Sequence, residues 1–246
     1  MGLLYGRAGC LTTENAGGFR PGQSPNNGYL ETAANTGMGV GFVSLIAERL
    51  MASDISTRGG SAEVAVHCFN RGRGGARIVD AWARISEDAL VVEPDVLSML
   101  FGVNDAYDEL VYTEAGVRGP GRTQSRVPLP KFERTYRLYL EEMREQNPRL
   151  RLVLCEPFVL DCGAIASDGY DEWRGKVDAR REIVRQLAAE FVATVVDFQG
   201  MFDKACKGEA PEHWSADGCH PTEAGAKLMA GAWLAAVGDA YGLVRY

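Results

Sequence analysis

Val96-Leu97-Ser98-Met99-Leu100-Phe101-Gly102-Val103-Asn104-Asp105 carries an almost unbroken apolar run into a glycine and then, two residues on, into an amide and a carboxylate. A strand that is apolar at consecutive positions has both faces covered, as in a parallel sheet packed between helices. Three further runs have this form: Val-Ala-Val-His-Cys-Phe at 64–69, Leu-Arg-Leu-Val-Leu-Cys at 150–155 and Thr-Val-Val-Asp-Phe at 194–198. Around them, residues 40–51, 78–91, 132–145, 173–191 and 223–237 repeat apolar side chains at helical spacing. Strand and helix alternate, so an α/β fold with a central parallel sheet is expected.

In such a sheet the groups that directly follow the strands share one edge, and ligands bind there. Asn70-Arg-Gly72 follows the run at 64–69, Gly102-Val-Asn104-Asp105 follows the run at 96–101, and Glu156-Pro-Phe158 follows the run at 150–155. Two stretches break the alternation: residues 13–39, rich in Gly and Asn, and residues 111–130, rich in Gly, Pro and Arg. Loops of that length are usually functional or mobile, and these are expected to shape whatever the edge accepts.

With 246 residues, 46% of them hydrophobic, the chain is long enough to fill one core, and a single domain over residues 1–246 is expected. A formal net charge of -7 and a pI near 5.1 provide no electrostatic attraction to nucleic acid or to an anionic membrane surface. No apolar run reaches membrane-span length, and the opening residues are too few for a signal peptide, so the expected location is cytoplasmic with no membrane partner. Cys10, Cys68, Cys155, Cys162, Cys206 and Cys219 form no CxxC pair, which argues against a zinc ribbon or a disulfide framework. The sequence carries no signal for an oligomeric state.

The chemistry concentrates near the C-terminus in Asp217-Gly218-Cys219-His220-Pro221-Thr222. A histidine with an acid three residues before it combines a base with the group that fixes its tautomer, although a histidine ahead of Pro-Thr also suits the start of a helix. Of the other two histidines, His213 is expected to pack beside Trp214, and His67 to sit within its apolar strand as a core residue. Asn104 reads either as a turn residue or as an amide donor to an oxyanion, whereas Gly72 taken alone reads as part of a flexible Gly-Arg-Gly-Gly loop. Cys10, Cys219 and His220 offer soft metal ligands, but their spacing matches no zinc pattern. Arg73, Arg77, Arg118, Arg122 and Arg126 are either solvated surface or contacts for an anionic or sugar ligand.

These blocks resemble, in order and spacing, the SGNH or GDSL-type hydrolase superfamily over about residues 40–240. Asn70-Arg-Gly72-Arg-Gly-Gly75 resembles its second block, Gly102-Val-Asn104-Asp105 its third and Asp217-Gly-Cys-His220-Pro221 its fifth. Glu156-Pro-Phe-Val-Leu160, Val195-Val-Asp197-Phe-Gln199 and His213-Trp-Ser-Ala-Asp217 resemble a bacterial subgroup of GDSL-like lipase/acylhydrolases. The resemblance implies a flavodoxin-like three-layer α/β/α sandwich and an ester hydrolase working through an acyl-enzyme. In it Asp217 and His220 are catalytic, and Gly72 and Asn104 line the oxyanion hole. It further implies a small ester or acylated carbohydrate as substrate, with no cofactor and no metal.

The family's first block, Gly-Asp-Ser-(Leu/Ile)-Thr, directly follows its first strand. Here the place reads Gly6-Arg-Ala-Gly-Cys10-Leu11-Thr12, and the register that matches Leu11 and Thr12 puts Cys10 at the nucleophile, after a strand at about residues 3–5. A thiolate near His220 is a good nucleophile, whereas sulfur in a site shaped for serine oxygen is held off the productive geometry. A small apolar residue in an altered loop and a first block absent from this sequence are the other readings. Two functions follow: an ester hydrolase with Cys10, Asp217 and His220 as catalytic residues, or an impaired homologue that binds an ester or glycan without turnover.

Overall fold

The structure, a computed structural model, describes residues 9–13, 41–57, 67–113, 116–117 and 126–241. Strands β1 (Gly9–Thr13), β2 (Cys68–Asn70) and β3 (Val96–Leu100) precede a small antiparallel hairpin of β4 (Tyr112–Thr113) and β5 (Gly116–Val117). Strands β6 (Arg151–Cys155) and β7 (Thr194–Val196) follow. The main sheet has the order β2-β1-β3-β6-β7 and every pairing in it is parallel. The carboxyl ends of all five strands therefore lie on one edge, and the loops after β2 and β3 flank the end of β1.

The pleat divides the apolar side chains between two layers. Val96 and Leu100 of β3 and Val153 and Cys155 of β6 pack on one face, with α1 (Phe42–Thr57) and α9 (Glu223–Tyr241) supplying Phe42, Ile46, Met229 and Trp233. Leu97, Met99, Leu152 and Leu154 point to the other face. There they meet α2 (Ile78–Trp82), α5 (Leu129–Gln146) and α6 (Gly163–Glu190) through Ile78, Phe132, Tyr136 and Val184. The architecture is the expected three-layer α/β/α sandwich. Ser98 is the polar exception inside β3, and its hydroxyl accepts the indole N–H of Trp233 at 3.0 Å. No helix among the described residues is long and apolar enough to cross a membrane.

Several sequence expectations change in detail. The helix expected at 78–91 is broken into α2, α3 (Ile85–Asp88) and a 3-10 turn at Leu90–Val92, which ends in left-handed Glu93. Helix α6 begins ten residues before position 173 and bends at Gly169, where φ is 103°. The stretch 111–130 is not all loop, since the β4–β5 hairpin opens it and α5 starts at Leu129. Residues 14–39 of the stretch 13–39 lie outside the described residues. His67 is exposed and stands just before β2, so it is not the core residue expected from its apolar neighbours.

The first strand also differs: it is Gly9–Thr13, whereas the expected one at 3–5 lies outside the described residues. Cys10 is thus within β1, paired with Leu97 on one side and Phe69 on the other, instead of after the strand. Thr13, the last residue of β1, stands opposite Leu100. At 3.3 Å per residue, Cys10 is about 10 Å short of that edge.

Candidate active site

Three loops build the carboxyl edge. After β2, the Asn70 side chain turns back and accepts the Gly72 N–H at 3.0 Å, an Asx turn that buries both residues. After β3, Gly102 takes φ 136° beside Pro157, whose Cγ is 2.8 Å from where a Cβ would stand, so glycine allows the two loops to touch. Asn104 follows in the first turn of α4 (Val103–Val111), and its Nδ2 donates to Ala76 O at 3.2 Å. The next residue, Asp105, is fully buried and accepts the Ile78 N–H at 3.2 Å. The loops that carry Gly72 and Asn104 are thereby tied to each other beside the end of β1.

The third loop runs from α8 (Pro211–Trp214) to α9 and holds the acid and base. Asp217 Oδ2 lies 2.6 Å from His220 Nδ1, while its Oδ1 accepts the N–H groups of Cys219 at 3.0 Å and His220 at 2.8 Å. Burial opposes the charge on Asp217, but these hydrogen bonds and the attraction of the imidazole outweigh it and hold the carboxyl well below the usual carboxylate range. The side chains of His220 and Asp217 are 23% and 34% exposed, so the ring is reachable from solvent while its tautomer is fixed. Pro221 is buried and bridges Ser215, and Thr222 caps α9 by accepting the Gly225 N–H at 3.2 Å.

Ser215, Gly218 and Glu156 stand within motifs of the sequence, but sequence reading assigns them no part in bracing this edge. Ser215, with no exposed surface, donates its hydroxyl to His220 O at 2.7 Å and accepts the Gly218 N–H at 2.9 Å. Gly218 has φ 95°, and a Cβ there would meet Ile165 Cβ at 2.6 Å and Leu160 O at 2.7 Å. Glu156, directly after β6, is buried against Arg181 Nε at 2.7 Å and Arg185 Nε at 2.6 Å, which joins the sheet edge to α6. Such long-range pairs leave no local period in the sequence. Arg77, weighed as a ligand contact, is buried and paired with Asp80 at 2.9 Å and Asp108 at 2.5 Å, so it belongs to the scaffold. Arg118 and Arg122 lie outside the described residues.

The structure brings Asp217 and His220 together and sets Gly72 and Asn104 on the same edge. It places Cys10 lower in the sheet, and the side chain of Cys10 lies outside the described residues. His213 packs edge-on against Trp214, ring centroids 4.5 Å apart. Burial pushes the thiols of Cys68 and Cys162 up to about 11 and that of Cys155 up to about 12, leaving them protonated and unreactive. Asp217, Cys219 and His220 each offer one metal-ligand atom within 4.8 Å of the others. A cation there competes with the 2.6 Å acid–imidazole contact.

Residues 31–228 match the sequence profile of the GDSL-like Lipase/Acylhydrolase family. An acetylxylan esterase from Geobacillus stearothermophilus is 26% identical over 202 residues, which is 82% of this chain and 82% of that protein. Among solved structures, a GDSL-like lipase of inferred function from Parabacteroides merdae ATCC 43184 is 29% identical with a TM-score of 0.72, covering 97% of this chain and 98% of that one. An acetylxylan esterase from Geobacillus stearothermophilus superposes with a TM-score of 0.70 at 24% identity, covering 99% of each chain, a likeness of fold. Catalytic mutants of that esterase have alanine at a serine, at an aspartate, or at a histidine three residues after the aspartate.

Proposed function

Because the chain belongs to the GDSL-like lipase/acylhydrolase family, we propose that it hydrolyses small acyl esters, with acetylated carbohydrate as the favoured substrate class. The observation that supports this most is the Asp217–His220 contact of 2.6 Å at the carboxyl edge of the sheet. Its three-residue spacing matches that of the catalytic aspartate and histidine altered in the solved esterase mutants. The acetylxylan esterase relative, similar over 82% of this chain, supports the carbohydrate ester.

In this reading Asp217 keeps the proton of His220 on Nδ1, so Nε2 is the base. It removes the proton of the nucleophile, which attacks the acyl carbon, and the carbonyl electron pair moves onto oxygen. The Gly72 N–H and the Asn104 amide receive that oxyanion, Gly72 sharing a donor that now serves Asn70. Collapse expels the alcohol, which takes its proton from His220. Water, deprotonated by the same ring, then releases the acid from the acyl-enzyme. Cys10 is the nucleophile that the sequence register assigns.

One observation favours a second reading. Cys10 pairs with Leu97 inside β1, about 10 Å below the edge that carries Asn104, a poor place from which to meet His220. A protein so built keeps the pocket and binds an acetylated glycan without turning it over. Acetate release from acetylated xylo-oligosaccharide, measured for the unaltered chain and for Cys10→Ala, separates the two. A rate that falls at least about 100-fold in Cys10→Ala supports the acyl-enzyme route through position 10. Binding with no release from either chain supports the second reading, and a rate untouched by Cys10→Ala removes Cys10 from the mechanism.

A further inference from the structure

Two motifs without a part in the chemistry converge on the loop of Asp217 and His220. Gln199, fully buried, accepts the Val159 N–H at 2.9 Å and donates to Val159 O at 3.1 Å, which fixes the segment after β6. The next residue, Leu160, donates its N–H to Gly218 O at 2.8 Å and so pins the middle of the loop from one side. Ser215 closes it from the other. Its Oγ contacts His220 O at 2.7 Å, Gly218 N at 2.9 Å and Asp217 Oδ1 at 3.3 Å, so one hydroxyl touches three of the four residues from the acid to the base.

We propose that Ser215 is a positioning residue for the Asp217–His220 pair, an inference that rests on reading this pair as the catalytic acid and base. A hydroxyl has one proton and two lone pairs, so it serves a carbonyl and an N–H at once. Here it spends the proton on the carbonyl of His220 and a lone pair on the N–H of Gly218. Asp217 Oδ1 completes the frame through the N–H groups of Cys219 and His220. The backbone of Ser215 is anchored independently: its N–H donates to Pro211 O at 3.0 Å, and its carbonyl accepts the Cys162 thiol at 3.0 Å. Removing only Oγ therefore leaves the residue in place and releases the turn that aims the imidazole.

The test compares the full chain with Ser215→Ala and with Met143→Ala, a buried residue in the opposite core layer that serves as a control for lost stability. Initial rates of p-nitrophenyl acetate hydrolysis are measured well below the melting temperatures. The low-field proton signal of the His220 Nδ1–H, shared with Asp217, is followed by NMR. Ser215→Ala is expected to lower kcat about 10- to 100-fold with KM within about 3-fold, and to weaken or shift the low-field signal. Met143→Ala is expected to change neither. If Ser215→Ala melts earlier but retains kcat and the signal, the positioning role is overturned. If the unaltered chain hydrolyses no ester, the functional reading fails separately and the proton signal alone decides: loss in Ser215→Ala supports positioning, and persistence overturns it.

Discussion

The two oxygens of Asp217 have separate duties, Oδ2 to the imidazole and Oδ1 to two backbone N–H groups. Asp217→Asn keeps the backbone contacts through its amide oxygen but presents an NH2 to Nδ1, which forces the opposite tautomer. Steady-state kinetics are expected to show kcat lowered by about 10³- to 10⁴-fold, and the melting temperature at neutral pH is expected to fall because the depressed carboxyl contributes stability there. Asp105 is another matter, because burial, opposed by nearby Arg180, pushes its carboxyl up to about 7, and Oδ2 has no hydrogen-bond partner among the described residues. An acid whose pKa is raised by folding costs no stability below its unfolded pKa and progressively more as pH rises through the folded value. Asp105→Asn is therefore expected to gain about 1–3 kcal/mol at pH 8.5 and little at pH 4, read from urea unfolding midpoints. Val192, 85% exposed with φ 52°, holds a β-branched side chain in left-handed backbone just past α6. Val192→Gly is expected to stabilise by about 1 kcal/mol, checked by the same midpoints.

Elements place these residues, and here sequence and structure can be compared. Strands β3 and β6 were legible because they are apolar at nearly every position, α5 because its apolar period is regular over several turns, and α9 because it runs apolar for longer than a strand does. The first ten residues of α6 were not, since Gly163-Ala-Ile-Ala-Ser-Asp-Gly-Tyr-Asp-Glu172 starts on one glycine and is interrupted by a second, Gly169, where the helix bends. The break between α2 and α3 left no Gly or Pro to read. It accompanies ion pairs of Arg77 with Asp108 and Arg84 with Asp88, the first of which spans 31 residues. Asp217 and His220 were legible as neighbours on one turn, whereas the bracing by Ser215, Gln199 and Leu160 is tertiary. The same bracing makes Gly218 irreplaceable: Gly218→Ala is expected to cost about 2–4 kcal/mol in thermal or urea unfolding, because its Cβ runs into Leu160 and Ile165 at a positive φ.

Across the whole molecule, one sheet order gathers loops distant in sequence onto one edge, and every residue proposed for function except Cys10 stands there. The strand order reverses between β1 and β3, with β2 added on one side of β1 and β3 on the other, so the end of β1 is flanked by the Gly72 and Asn104 loops. The position of Cys10 inside β1 is the one disagreement between the fold and the sequence register of the first block, and it separates hydrolysis from binding. The central claim, that Asp217 and His220 form the working acid–base pair of an ester hydrolase, is tested most directly by the initial rate of p-nitrophenyl acetate hydrolysis by the full chain against His220→Ala. The account predicts a rate well above the buffer background that falls at least about 10³-fold in His220→Ala. A rate equal in the two chains, or no higher than background in either, contradicts it.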